Sequence, residues 1–162
     1  MTGAEGDQLL TLCLDRRDGA ILWRQSIEAP KREYQHSLNH RAAPTPVVAD
    51  GRVFVFFADF GLAAYDLDGK PLWELPLGPF NSQHGIVSSP VYADGRVVLV
   101  IDTDTDAYIM AVEAANGEIA WKKPRHVING YSTPIVYHPG GGPALIIAPG
   151  SYQLTAYAAA TG

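Results

Sequence analysis

Apolar residues fall along this chain in short runs that end on glycine, proline, aspartate or asparagine, and the order of the runs repeats. The clearest copy begins at "SPVYADGRVVLVI", residues 89–101. Val91 and Tyr92 read as a first strand. Asp94-Gly95 reads as a two-residue hairpin, because a type I′ turn needs positive φ at both central positions. Val97 to Ile101 is nearly continuous in apolar residues, the pattern of a strand covered on both faces. Another hairpin leads to a third strand, Tyr108 to Val112. A turn ending in Asn116-Gly117 then opens a fourth, Ile119 to Trp121. Proline stands at strand entry, where its missing N–H costs least.

Two sets of anchors carry this unit along the chain. "DGAILW", "DGKPLW" and "NGEIAW" place Trp23, Trp73 and Trp121 at spacings of 50 and 48, each four residues after Gly19, Gly69 and Gly117. "TPVV", "SPVY" and "TPIV" place Pro46, Pro90 and Pro134 at spacings of 44 and 44. Four antiparallel strands per unit of roughly 45 residues describe a propeller blade. The expected fold is all-β: a β-propeller of four-stranded antiparallel blades in a partial ring. Residues 44–76 and 88–123 form complete blades, and 8–24 and 133–162 form incomplete ones. Cys13, Ala64, Ala111 and Ala156 hold one small third-strand position, and the recurring tryptophans read as buried wedges between blades. The closing "AYAAATG" reads as a third strand whose partner should follow, so the chain is expected to be a segment of a larger ring. Its open strand edges are expected to make it self-associate.

Composition narrows function mainly by exclusion. A net charge of −5 from 12 basic and 17 acidic residues gives no electrostatic reason to expect nucleic acid. No apolar run reaches the length of a membrane span. Cys13 is the single cysteine, which rules out an intrachain disulfide and reads as a small core filler. The N-terminal "MTGAEGDQ" has no signal-peptide pattern, so the chain alone leaves its compartment open.

The meander puts the loops entering each innermost strand and the hairpins between second and third strands on one face. His40 and His84, each six residues before its proline, are expected there with Arg41, Asn129 and Tyr131. This face is the expected surface for a protein partner or a small ligand. "DTDTD" offers Asp102, Asp104 and Asp106 at alternate positions, as a calcium loop would begin. It has alanine where such a loop needs glycine, so a solvated acidic hairpin is the simpler reading. Phosphate loops, nucleophile elbows and zinc-protease motifs are absent.

The order in "AVEAANGEIAW", residues 111–121, is a small residue, an acid, an Asn-Gly turn and a tryptophan. It resembles the repeat of pyrroloquinoline-quinone-type (quinoprotein-like) propellers. "AYAAATG" matches its first part, and "AAYDLDGKPLW" has a turn one residue shorter. The resemblance implies a bacterial envelope, periplasmic or secreted parent. That family includes quinone-dependent dehydrogenases and cofactor-free propellers, among them the scaffold of outer-membrane β-barrel assembly. The dehydrogenases hold quinone over calcium ligated by Glu and Asn, with an Asp base and often two adjacent cysteines. No residue here matches those ligands and there is no Cys-Cys pair. The expectation is therefore a non-catalytic interaction scaffold without cofactor. Part of a quinone dehydrogenase using pyrroloquinoline quinone and calcium is the second reading, and a calcium-supported sugar-binding or sensor module the third.

Overall fold

The computed structural model describes residues 1–34, 36–80 and 82–162. Its strands form four antiparallel meanders. The first is β1 (Thr2–Glu5), β2 (Gln8–Leu14) and β3 (Ile21–Glu28). The second is β4 (Val47–Ala49), β5 (Arg52–Phe57), β6 (Gly61–Asp66) and β7 (Pro71–Pro76). The third is β8 (Val91–Ala93), β9 (Arg96–Ile101), β10 (Tyr108–Glu113) and β11 (Ile119–Pro124). The last is β12 (Ile135–Tyr137), β13 (Leu145–Pro149) and β14 (Leu154–Ala158). Asp50-Gly51 and Asp94-Gly95 take the positive φ values that their hairpins require.

Two expectations about the blades change. The first blade has three strands rather than two, because β1 pairs with β2 in register from Thr2↔Thr11 to Glu5↔Gln8. The fourth strands also run past their tryptophans, to Glu28, Pro76 and Pro124.

Adjacent blades are joined in three layers. Innermost is a ladder of hydroxyls. The Thr45 N–H donates to Ser89 Oγ (2.9 Å), and the Ser89 N–H donates to Thr133 Oγ1 (3.0 Å). This accounts for Ser or Thr before each strand-entry proline. Next come apolar faces. Phe54, Leu62 and Ala64 of the second blade pack on Val97, Leu99 and Met110 of the third. Val98 and Ala111 of the third pack on Ile146 and Ala148 of the fourth. Leu9 and Ile27 of the first meet Val55, Ala63 and Tyr65 of the second. Complete burial of such side chains is worth about 1.5–3 kcal/mol each.

The outer layer is the tryptophan. Each indole N–H donates to a carbonyl of the next blade: Trp23 to Leu67 (2.8 Å), Trp73 to Ala114 (3.0 Å) and Trp121 to Ala159 (2.9 Å). Each ring also lies on a glycine of that blade's last turn. A Cβ added to Gly69, Gly117 or Gly162 would stand 2.6, 2.7 or 2.8 Å from the ring. Those glycines therefore meet two demands at once, a positive φ and a ring in place of a side chain. Gly19 adopts the same φ region with nothing above it. The expectation of buried wedges holds for Trp121, 8% exposed. Trp23 and Trp73 are only half-buried, because an outer strand is open to solvent on its far side.

The small position has a local cause. Cys13, Ala64 and Ala111 stand directly across from Trp23, Trp73 and Trp121, one residue before a β-bulge. Ala64 and Ala111 are fully buried, whereas the equivalent Ala156 is exposed.

Candidate functional site

The loop face is built from three connectors, residues 29–46, 77–90 and 125–134, each four residues shorter than the one before. The hairpins β5–β6, β9–β10 and β13–β14 lie on the same side of the meander. Several large apolar side chains are exposed on these segments: Tyr34, Leu38, Ile128, Tyr131 and Tyr152. Exposed aromatic and aliphatic side chains of this kind occur on interaction surfaces, although others, among them Leu22, Val48, Ile119 and Ile135, are exposed elsewhere on the chain.

At its centre His84 and Tyr131 come together, with ring centres 5.7 Å apart. The third member is His36, not His40. Its ring meets His84 edge-on at 5.4 Å. With Leu38, Asn39 and Val87 these rings line a cup of about 300 Å³. Asn39 fixes the rim by donating its amide to the His84 carbonyl (2.6 Å). His36 Nδ1 accepts the Leu38 N–H at 3.2 Å, which orients its ring.

The other expected residues have different tasks. His40 points back into its own turn, where Nδ1 accepts the Ala42 N–H (3.2 Å). Arg41 is a tie between blades rather than a contact for a partner. It pairs with Asp59 of the β5–β6 hairpin and donates to the Gly6 carbonyl, with 16% of its side chain exposed. Asn129, with φ at +31°, donates its amide to Asp104 beside the cup. Asp104 also accepts the Gln83 N–H (3.1 Å). Burial first, and then the Asp104 charge, raise the Tyr131 hydroxyl above its ordinary pKa.

The three aspartates of "DTDTD" do not converge. Asp102 turns inward and is sealed by Arg125 in a bidentate pair of 2.6 and 3.1 Å, both side chains essentially without exposure. The same guanidinium donates to the Pro149 carbonyl (2.9 Å) and the Tyr157 hydroxyl (3.1 Å), pinning the third blade to the fourth. Gly130 leaves room for Asp102, since a Cβ there would strike Oδ2. Asp104 faces Asn129, and Asp106 accepts the Thr105 hydroxyl (3.1 Å). Among the described residues, no three His, Cys, Asp or Glu side chains gather as a set that could hold a metal.

A family model described as outer membrane protein assembly factor BamB matches residues 7–162. Among curated proteins, the polyvinylalcohol dehydrogenase of Sphingopyxis sp. (strain 113P3) is 28% identical, covering 73% of this chain and 21% of its own length. The BamB of Moranella endobia (strain PCIT) is 27% identical, covering 73% of this chain and 28% of its own. The chain thus spans less than a third of the length of either relative. Among solved structures, the quinohemoprotein alcohol dehydrogenase ADHIIG of Pseudomonas putida HK5 superposes with a TM-score of 0.66 at 18% identity. That match covers 99% of this chain and 32% of that one, and it shows the propeller fold.

Proposed function

The chain belongs to the family described as outer membrane protein assembly factor BamB, and from that membership we propose a non-catalytic propeller segment that binds a protein partner in the cell envelope. The observation that carries this reading is the loop face: a cup of His36, Leu38, Asn39, His84, Val87 and Tyr131, with Tyr34 and Ile128 exposed on the same connectors. Tyrosine anchors inside a rim of neutral and acidic groups suit a polypeptide surface better than a reaction centre. The carboxylates nearest the cup support it too. Asp102 is spent on Arg125 in a buried ion pair, and Asp104 serves the loop face as an acceptor for Asn129 and the Gln83 N–H.

A photo-crosslinking residue at position 131 of the protein in its native envelope should capture one defined partner. The same residue at position 52, beside the Asp50-Gly51 hairpin of the opposite face, should not. Equal capture from both positions would refute the assignment of the face. Alcohol-dependent dye reduction after adding pyrroloquinoline quinone and calcium would refute the non-catalytic reading.

A further inference from the structure

The groove between the second and third blades, on their outer side, breaks the repeat. Three residues before the small third-strand position the blades carry Leu10, Gly61, Tyr108 and Gln153. Directly after the tryptophans stand Arg24, Glu74 and Lys122. Blade packing therefore does not require Tyr108 or Lys122. The Tyr108 ring lies against the core shared by the two blades, and Lys122 Nζ sits 3.7 Å from the ring centre. Among the described residues Lys122 forms no ion pair. Burial alone pushes the Tyr108 hydroxyl up to about 12, which leaves it a neutral donor.

Two clefts of about 270 and 530 Å³ meet here, sharing Asp106, Tyr108 and Lys122. Phe80 and Pro79 supply an apolar wall from the neighbouring connector. A ligand bearing only a negative charge would face Asp106, and one bearing only a positive charge would face Lys122. A ligand carrying both signs meets an opposite charge at each end, which avoids desolvating like charges against one another.

We propose that this groove binds a small zwitterion of the amino-acid type. Its carboxylate accepts from Lys122 Nζ and the Tyr108 hydroxyl, its ammonium faces Asp106, and its apolar side chain lies on Phe80 and Pro79. The site is separate from the partner cup and does not depend on that reading.

The test is a titration of the chain with L-leucine, isocaproate and isoamylamine, followed by chemical-shift changes at Tyr108 and Phe80. L-leucine should saturate at millimolar concentration, and either analogue, lacking one charge, should bind more weakly. Lys122→Met loses the ammonium over the ring but keeps an unbranched side chain there, so its melting temperature should fall only slightly. It should weaken leucine about tenfold, the loss expected of one charge-assisted hydrogen bond. Tyr108→Phe should weaken it several-fold. The proposal is overturned if leucine shows no saturable binding, if Lys122→Met binds it undiminished, or if isocaproate or isoamylamine binds as well as leucine. If Tyr108→Phe proves unfolded, the Lys122→Met result decides alone.

Discussion

Gly117→Ala tests whether the tryptophan ring specifies the turn glycine. Gly117 and Gly19 close the same turn, each N–H donating to a carbonyl four residues back at 2.8 Å (Glu113 and Asp15). Their φ values are +77° and +76°. Alanine at either position meets the left-handed backbone penalty of about 1–2 kcal/mol. Above Gly19 there is nothing within 4 Å, so Gly19→Ala should cost that penalty and little more. Above Gly117 the new Cβ would stand 2.7 Å from Trp73 Cε3 and 2.8 Å from Cδ2. The ring cannot simply retreat, because its N–H is held by the Ala114 carbonyl at 3.0 Å and Phe54 lies behind it, ring centres 5.9 Å apart. Overpacking of that kind adds about 1–3 kcal/mol. Gly117→Ala should therefore cost about 2–5 kcal/mol in total. Urea unfolding followed by far-ultraviolet circular dichroism measures both variants without relying on indole fluorescence. A Trp73→Ala background should reduce the Gly117→Ala penalty to that of Gly19→Ala, a non-additivity expected only of groups in contact. Equal losses for the two glycine variants in the parent chain would refute the ring-on-glycine account.

Two further outcomes follow from buried groups. Asp102→Asn leaves the Arg125 guanidinium buried without its counter-charge, and unfolding stability should drop by about 3–5 kcal/mol; a loss below about 1 kcal/mol would show that Arg125 reaches water. The Tyr108 hydroxyl, raised by burial from its ordinary 10.0 to about 12, makes stability pH-dependent at the alkaline end. Its contribution should be complete below pH 10 and fall as pH rises towards 12, since the unfolded phenol gives up its proton first. Tyr65, Tyr92 and Tyr131 are raised as well, so ultraviolet phenolate titration should show several late-ionising tyrosines, of which Tyr108→Phe removes the one near 12.

The blades were legible because their demands repeat. Positive φ at Asp94-Gly95, a hydroxyl before Pro90 and a small residue opposite Trp121 each leave a mark at a fixed spacing. β1 was missed because "TGAE" has too little apolar content to read as a strand, and its pairing with β2 supplies what its side chains do not. The cup was half legible. Counting back from the prolines assumes connectors of equal length, and that assumption selected His40. The connectors shorten along the chain, so His36 is the residue that reaches His84. The Arg125–Asp102 pair had no signal of its own, since its members stand 23 residues apart and a charged residue beside a hairpin reads as solvated.

The hydroxyl ladder, the small position and the tryptophan dock use residues recurring with the period, whereas His36 and Tyr131 of the cup do not recur. Ser89 and Thr133 continue one ladder, and Trp23 and Trp73 make one kind of dock, so frame and blade number come from repetition. The connectors are released from that constraint, yet they are not loose. Arg41 fastens the first connector to the Asp59 hairpin, and Arg125 fastens the third to the Asp102 hairpin, from positions that are not equivalent in the repeat. Lys31 adds a further tie, donating to the Leu77 carbonyl at 2.6 Å and so holding the first connector to the second. A surface held in this way loses little conformational freedom when a partner settles on it, which leaves more of the contact energy as affinity. The cup at His84 can thus differ in sequence from blade to blade and still present a rigid face, because the pins rather than the repeat fix its shape.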